Sequence, residues 1–301
     1  MILKFSIIDC IFITFNLDTN VLVTSGRFDS STEFIDMKKI NYNYFGDDLP
    51  VTARAGVGGV VDYKPMICSM MHSEGDGKDC FYMLNGDWKQ GPNMIKARNW
   101  AAGMVLENKL WVTGGYHNDT KESSTELISL TESHPFVDLP EPMSFHCMQL
   151  INETTVFLTN FERFYFFDII SKEWSKEINL PDTMQYYSVC GVFELKKSPV
   201  MVLASGGAES NEVSLLHLDG TENGWISGPA NPGGSNDGPM ISTPNKDGVL
   251  MVGGSHQDSI WKLTCTETID DCAWEETPQS MSFGKVNHIA FWLPNSFCPV
   301  E

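Results

Sequence analysis

Eight cysteines, seven histidines and several paired carboxylates are the residues of this 301-residue chain whose types could do chemistry. Two cysteine pairs lie close together, Cys68 with Cys80 and Cys265 with Cys272. Neither has the Cys-x2-Cys spacing, or the second ligand pair with a nearby histidine, that a tetrahedral zinc site requires. Both therefore read as disulfides, each closing a short loop for roughly 2–3 kcal/mol. Disulfides persist in an oxidising compartment, and two acceptor sequons, Asn118-Asp119-Thr120 and Asn152-Glu153-Thr154, agree with export. Cys147 and Cys190 read as buried thiols, and Cys298 has no evident partner other than Cys10.

The remaining reactive residues form no recognisable constellation. Copper ligation by Tyr and His would need a convergent set, yet no spacing among Tyr186, Tyr187, His146 and His288 singles out four ligands. Asp47/Asp48 and Glu275/Glu276 sit in polar turns, where a solvated role is expected. Asp270/Asp271 lie within the Cys265–Cys272 loop, and no second signal there speaks for a cation. A Gly-x-Ser-x-Gly nucleophile elbow is missing. The 20 basic and 39 acidic residues give a net charge of −19, which repels phosphate backbones and anionic membranes. No metal, cofactor, nucleic acid or membrane span is expected. The apolar start Met1–Phe15 resembles a leader but carries Asp9 and lacks a small-residue cleavage site. Residues 1–18 are therefore read as a leader or an extra segment, and 19–301 as one domain.

What could position these residues is a repeat. Short apolar strands ending in a pair of small residues recur, closing at Gly26, Met70, Gly115, Asn160, Gly207 and Gly254. The intervals are 44, 45, 45, 47 and 47 residues, the period of a propeller blade. Each period also has an earlier apolar strand, a later one such as Ser124–Leu130, and an outer aromatic. The aromatics are Trp88, Phe136, Trp174, Trp225 and Trp274. Four short strands per period, with no sustained 3.6-residue stripe, predict an all-β fold of six four-stranded antiparallel blades. The first period lacks an opening strand, and Met281–Leu293 resembles one with no continuation. Pairing that segment with Val21–Gly26 would close the ring and remove its unpaired edges.

The Gly114/Gly115, Gly206/Gly207 and Gly253/Gly254 pairs with their following aromatics resemble the kelch repeat, over nearly the whole chain after residue 20. Ser69/Met70 and Thr159/Asn160 depart from its glycines. The Cys68/Cys80 pair is similar to that of secreted kelch proteins of arthropods. The resemblance implies a kelch β-propeller acting as a non-catalytic scaffold for a protein or glycan ligand, secreted in this case. One alternative is a carbohydrate-active enzyme at the channel mouth, of the sialic-acid epimerase or galactose-oxidase kind. The segment Asp219–Trp225 lacks the order of a sialidase Asp box, and only Arg27, Arg54, Arg98 and Arg163 supply guanidinium groups. Another alternative is an intracellular kelch protein, with reduced cysteines, binding actin or an adaptor. The ends of the blade-opening strands surround the channel, which makes Arg54, Arg98, Asn99, Tyr186, Asn236 and Asn287 the candidate ligand-binding residues. The competing role for each is to cap a strand or satisfy buried backbone.

Overall fold

The computed structural model describes residues 20–26, 29–39, 43–72, 77–160, 163–180, 189–204, 211–218, 224–232, 238–254, 257–285 and 287–294. The expectations placed on 1–18, Cys10, Tyr186, Asn236 and Cys298 lie outside them.

Six antiparallel blades follow one another along the chain. Blade 2 runs outward from the axis as Val57–Val61, Lys64–Cys68, Phe81–Leu84 and Asp87–Gln90. Blade 3 is Ala102–Leu106, Lys109–Thr113, Thr125–Ile128 and Ser133–Pro135. Blade 4 is Cys147–Asn152, Thr155–Thr159, Arg163–Asp168 and Glu173–Trp174, with Ile178–Asn179 also pairing its third strand. Blade 5 is Val189–Leu195, Ser198–Ala204, Val213–His217 and Ile226–Ser227. Blade 6 is Met240–Ser242, Val249–Gly254, Gln257–Thr264 and Ala273–Ser280.

Blade 1 is built from both ends of the described chain. Its inner strand Ile289–Leu293 pairs with Asn20–Thr24, which continues to Thr32–Asp36 and Asn43–Gly46. The six inner strands then touch in a closed circle, each against the next and the sixth against the first. This closure pairs the strand edges that an open ring would expose. Helix is confined, among the described residues, to one 3-10 turn at Ile269–Asp271.

The second strand of each blade is a continuous apolar run because neighbouring blades cover both of its faces. Val21–Val23, Leu110–Val112, Val156–Leu158 and Val200–Leu203 are all essentially inaccessible. Inner strands leave their channel end through two-residue turns at Asp62-Tyr63, Glu107-Asn108 and Lys196-Lys197, both residues of each at positive φ. That turn geometry matches the twist of antiparallel strands. Fourth-strand indoles seal the wedges between blades. Trp88 donates to Thr32 Oγ1 (2.9 Å), Trp174 to the Asp138 carbonyl (2.9 Å) and Trp274 to the Pro229 carbonyl (3.2 Å), each in the preceding blade.

The small-residue marker has one geometry whether or not it contains glycine. Ser25, Ser69, Gly114 and Gly253 have φ of 59°, 58°, 57° and 58°. Glycine matters where something leans on the turn. A Cβ on Gly114 would stand 2.5 Å from the Met143 carbonyl and 2.8 Å from the His146 ring. Blade 4 solves the turn differently: Asn160 N–H donates to the Arg163 carbonyl (3.0 Å), and Asn160 Oδ1 accepts from Arg163 N–H (2.9 Å).

Cys68–Cys80 and Cys265–Cys272 are disulfides. The reading of Cys147 and Cys190 as free thiols is corrected: they too are bonded, with Cα atoms 5.9 Å apart. The inner strands of blades 4 and 5 lie side by side around the axis, so residues 43 apart in sequence meet. Sequence spacing alone hides this kind of pair. Loop-closure entropy rises with loop length, so this bridge outweighs the two short ones. Replacing Cys147 and Cys190 together by alanine is expected to lower stability by about 2–4 kcal/mol, near the top of that range. Urea unfolding should show a larger loss than for the Cys265/Cys272 double variant.

Candidate functional site: the channel mouth

The chain crosses from the outer strand of one blade to the inner strand of the next through a sharp turn. Its last turn residue sits two positions before the inner strand and adopts a left-handed backbone. Ala55, Trp100, Phe145 and Asn287 share φ of 56°, 54°, 53° and 54° in blades 2, 3, 4 and 1. Bulky residues avoid this region, at a cost on the order of 1–3 kcal/mol each unless the surroundings impose it. Hydrogen bonds from blade to blade do so. Ala55 N–H donates to the Asn287 carbonyl (2.9 Å), and Phe145 N–H donates to the Trp100 carbonyl (3.0 Å).

The consequence is a partly exposed aromatic cluster where blades 3 and 4 meet the channel. Trp100 and Phe145 rings lie 4.5 Å apart at 36°, and Tyr116 meets Phe145 edge-on at 5.7 Å. The Arg54 guanidinium, from blade 2, lies 5.8 Å over the Trp100 ring. Asn99 fixes the cluster from below through a backbone bridge to Tyr116, with N···O distances of 3.0 and 2.7 Å. Gly115, at φ 95°, makes room for it, since a Cβ there would stand 2.7 Å from the Asn99 carbonyl. Of the six candidates, Arg54, Asn99 and Asn287 therefore lie at the mouth, all half-buried. The aromatic members Trp100, Tyr116 and Phe145 were missed. Their signal was available: Trp100 and Phe145 are 45 residues apart, one blade period.

Arg98 has the other role foreseen for it. Its guanidinium is inaccessible and donates to the carbonyls of Gly114 (2.9 Å) and Ser124 (2.6 Å), to Ser124 Oγ (3.2 Å) and to Glu126 Oε1 (2.7 Å). Blade 1 repeats the arrangement. Lys285 is buried and donates to Asp29 Oδ2 and Ser31 Oγ, while Glu33 accepts from Ser282 N–H (2.8 Å) and Oγ (2.8 Å). Burial pushes the Glu33 carboxyl above its ordinary range, against those hydrogen bonds.

His146 and His288 occupy matching places in blades 4 and 1, one residue before the inner strand. Burial drives both down to about 3, aided by the nearby charges of Arg98 and Lys285 respectively. His146 Nε2 pairs with Thr113 Oγ1 at 2.8 Å. Both are neutral core groups in separate blades. Asp271, in the Cys265–Cys272 loop, accepts from the N–H groups of Thr266, Glu267 and Thr268 at 2.7–3.0 Å. Desolvation alone would raise this carboxyl, but the three bonds together outweigh it and hold it at about 2. It closes its own loop. Among the described residues, no group of three or more His, Cys, Asp or Glu comes together as a metal site, and no helix is long and apolar enough to cross a membrane.

No protein-family model and no curated protein sequence matches the chain. Solved structures do. The chain is similar to the protein titled "Structure of YjhT", with a TM-score of 0.65 and 10% identity over 87% of this chain and 98% of that one. This is a six-bladed propeller. At that identity the likeness speaks for the fold alone, and the site must be judged on its own residues.

Proposed function

We propose that this chain is a secreted, non-catalytic propeller of kelch type that binds a protein ligand at the channel mouth. The observation that carries the reading is the half-exposed cluster of Arg54, Trp100, Tyr116 and Phe145, held on a rim of imposed left-handed turns. Trp, Tyr and Arg are the side chains that concentrate binding energy at protein interfaces, particularly when rigid before contact. A sugar would need a free aromatic face to stack on, whereas Phe145 and Arg54 already claim part of the indole's π surface. That favours a protein ligand offering apolar groups to the ring edges and a carboxylate to Arg54. Three disulfides support an oxidising compartment and hence secretion.

The test compares the wild type with Arg54→Glu/Trp100→Ala, both secreted from eukaryotic cells, as crosslinking baits for extracellular proteins and on a glycan array. Alanine suits the turn at position 100, because Ala55 holds the same φ in blade 2. The wild type is expected to capture a defined protein whose affinity falls by roughly a hundredfold, about 3 kcal/mol, in the variant at unchanged melting temperature. Glycan binding that depends on the same two residues would move the reading to a lectin. Turnover of a sugar would end the non-catalytic one.

A further inference from the structure

A modification site stands beside this mouth. Between the second and third strands of blade 3 the chain forms a small hairpin, Tyr116–His117 paired with Thr120–Lys121. Its turn is Asn118-Asp119, at φ 48° and 59°, and residues Asn118 to Lys121 are all exposed. The sequon Asn118-Asp119-Thr120 therefore occupies the tip of a projecting hairpin. Tyr116, at the hairpin base, belongs to the aromatic cluster through its 5.7 Å contact with Phe145. At 3.3–3.4 Å per strand residue, Asn118 stands roughly 7 Å from that tyrosine along the chain. The hairpin is rooted one strand farther from the axis than the rim turns, so it flanks the cluster on its outer side.

We infer that Asn118 carries an N-linked oligosaccharide that fences the outer side of the aromatic cluster. The inference rests on the mouth being the binding face of a secreted protein. In the transfer, Asn118 Nδ2 forms a bond to the anomeric carbon of a lipid-pyrophosphate-linked oligosaccharide and loses one proton. The C–O bond to the carrier breaks, and the lipid pyrophosphate leaves with its electron pair. The folded chain has room for the product, since Asn118 to Lys121 are exposed and the Asn118 amide nitrogen meets only its neighbour His117, at 3.1 Å, among the described residues.

The second sequon is an internal control. Asn152 ends the inner strand of blade 4, hence at the opposite end of the channel, and it is also exposed. Its Oδ1 accepts from Thr154 N–H at 2.9 Å. A glycan there cannot shield the mouth.

The full chain would be expressed in a secreting eukaryotic cell as wild type, Asn118→Gln, Thr120→Ala and Asn152→Gln. Peptide mapping after enzymatic deglycosylation in heavy-oxygen water reads occupancy. Hydroxyl-radical footprinting reads exposure of Trp100, Tyr116 and Phe145. Heavy oxygen is expected at Asn118, and protection of Tyr116 and Phe145 should be lost in both Asn118→Gln and Thr120→Ala but kept in Asn152→Gln. Exported protein with Asn118 unmodified would overturn the inference and leave the binding proposal standing. An occupied Asn118 with unchanged footprints would overturn the fence. Protein retained in the cytosol with free thiols would sink the secreted reading and this inference with it.

Discussion

Glu126→Ala is expected to destabilise the propeller by about 4–5 kcal/mol, the upper end of the cost of breaking a buried ion pair from one side. The carboxylate is buried and accepts from four donors: Ile95 N–H (2.6 Å), Lys96 N–H (3.0 Å), Arg98 (2.7 Å) and Ser133 Oγ (2.7 Å). Removing it strands a guanidinium with no exposure and two backbone donors in the crossover from blade 2 to blade 3. Glu122→Ala is the control. That side chain bonds Lys96 at the surface, with the lysine 49% exposed, so its loss should cost no more than about 1 kcal/mol. Denaturant unfolding of both variants decides the point. Equal losses would mean that Arg98 finds other partners and that the buried pair does not anchor the crossover.

This pair has a consequence for the mouth. Arg98 is two residues from Trp100 and one from Asn99, and its guanidinium ties that segment to the Gly114 and Ser124 carbonyls. The anchor holds the turn from inside while the Phe145–Trp100 hydrogen bond holds it from the neighbouring blade. Lys285, Asp29 and Glu33 do the same work before Asn287 in blade 1, using the same Ser-Thr-Glu triplet at residues 31–33 as at 124–126. A rigid rim follows from polar groups buried beneath it. A rim of that kind loses little entropy when a ligand arrives.

How much of this the sequence made legible depends on whether a feature obeys the blade period. The strands and the outer tryptophans repeat, and the segment Met281–Leu293, which holds the closing strand Ile289–Leu293, stands out as an opening strand without a blade, so each could be placed from the sequence. The short disulfides could be placed too, since Cys68 and Cys80 flank neighbouring strands of one blade. Cys147–Cys190 joins neighbouring blades, where contact depends on the closeness of inner strands around the axis, which local spacing does not encode. Arg98 and Arg54 were equal as residue types at strand starts. What separates them is Glu126, which draws one guanidinium into the interior, while that of Arg54 lies over an indole face. Trp100 and Phe145 escaped notice because a large aromatic in a β protein usually reads as core. Only the left-handed turn turns these two toward the channel.

Acid should destabilise the fold in a pH window set by two histidines. His146 and His288 are buried and lowered to about 3, while each titrates near 6.5 when unfolded. Between those values the unfolded chain takes up a proton at each site that the folded chain refuses, so stability is full above the unfolded value and falls as pH drops. The slope is about 1.4 kcal/mol per pH unit for each histidine, or about 5 kcal/mol in total at pH 4.5. The carboxylates held below their ordinary range, including Asp29, Asp247 and Glu122, act in the same direction but only once pH falls below their unfolded values near 4. Glu33, raised by burial, works the other way. The upper part of the window therefore belongs to the histidines. Denaturant unfolding should show stability flat from pH 8 to 7 and then a decline of about 3 kcal/mol per unit toward pH 4.5. His146→Gln should halve that slope whatever it does to stability at pH 8, because it removes one of two independent protonations. An unchanged slope would mean that the blade 4 histidine reaches water and titrates freely, and the tight seam between Gly114 and the next blade would have to be abandoned.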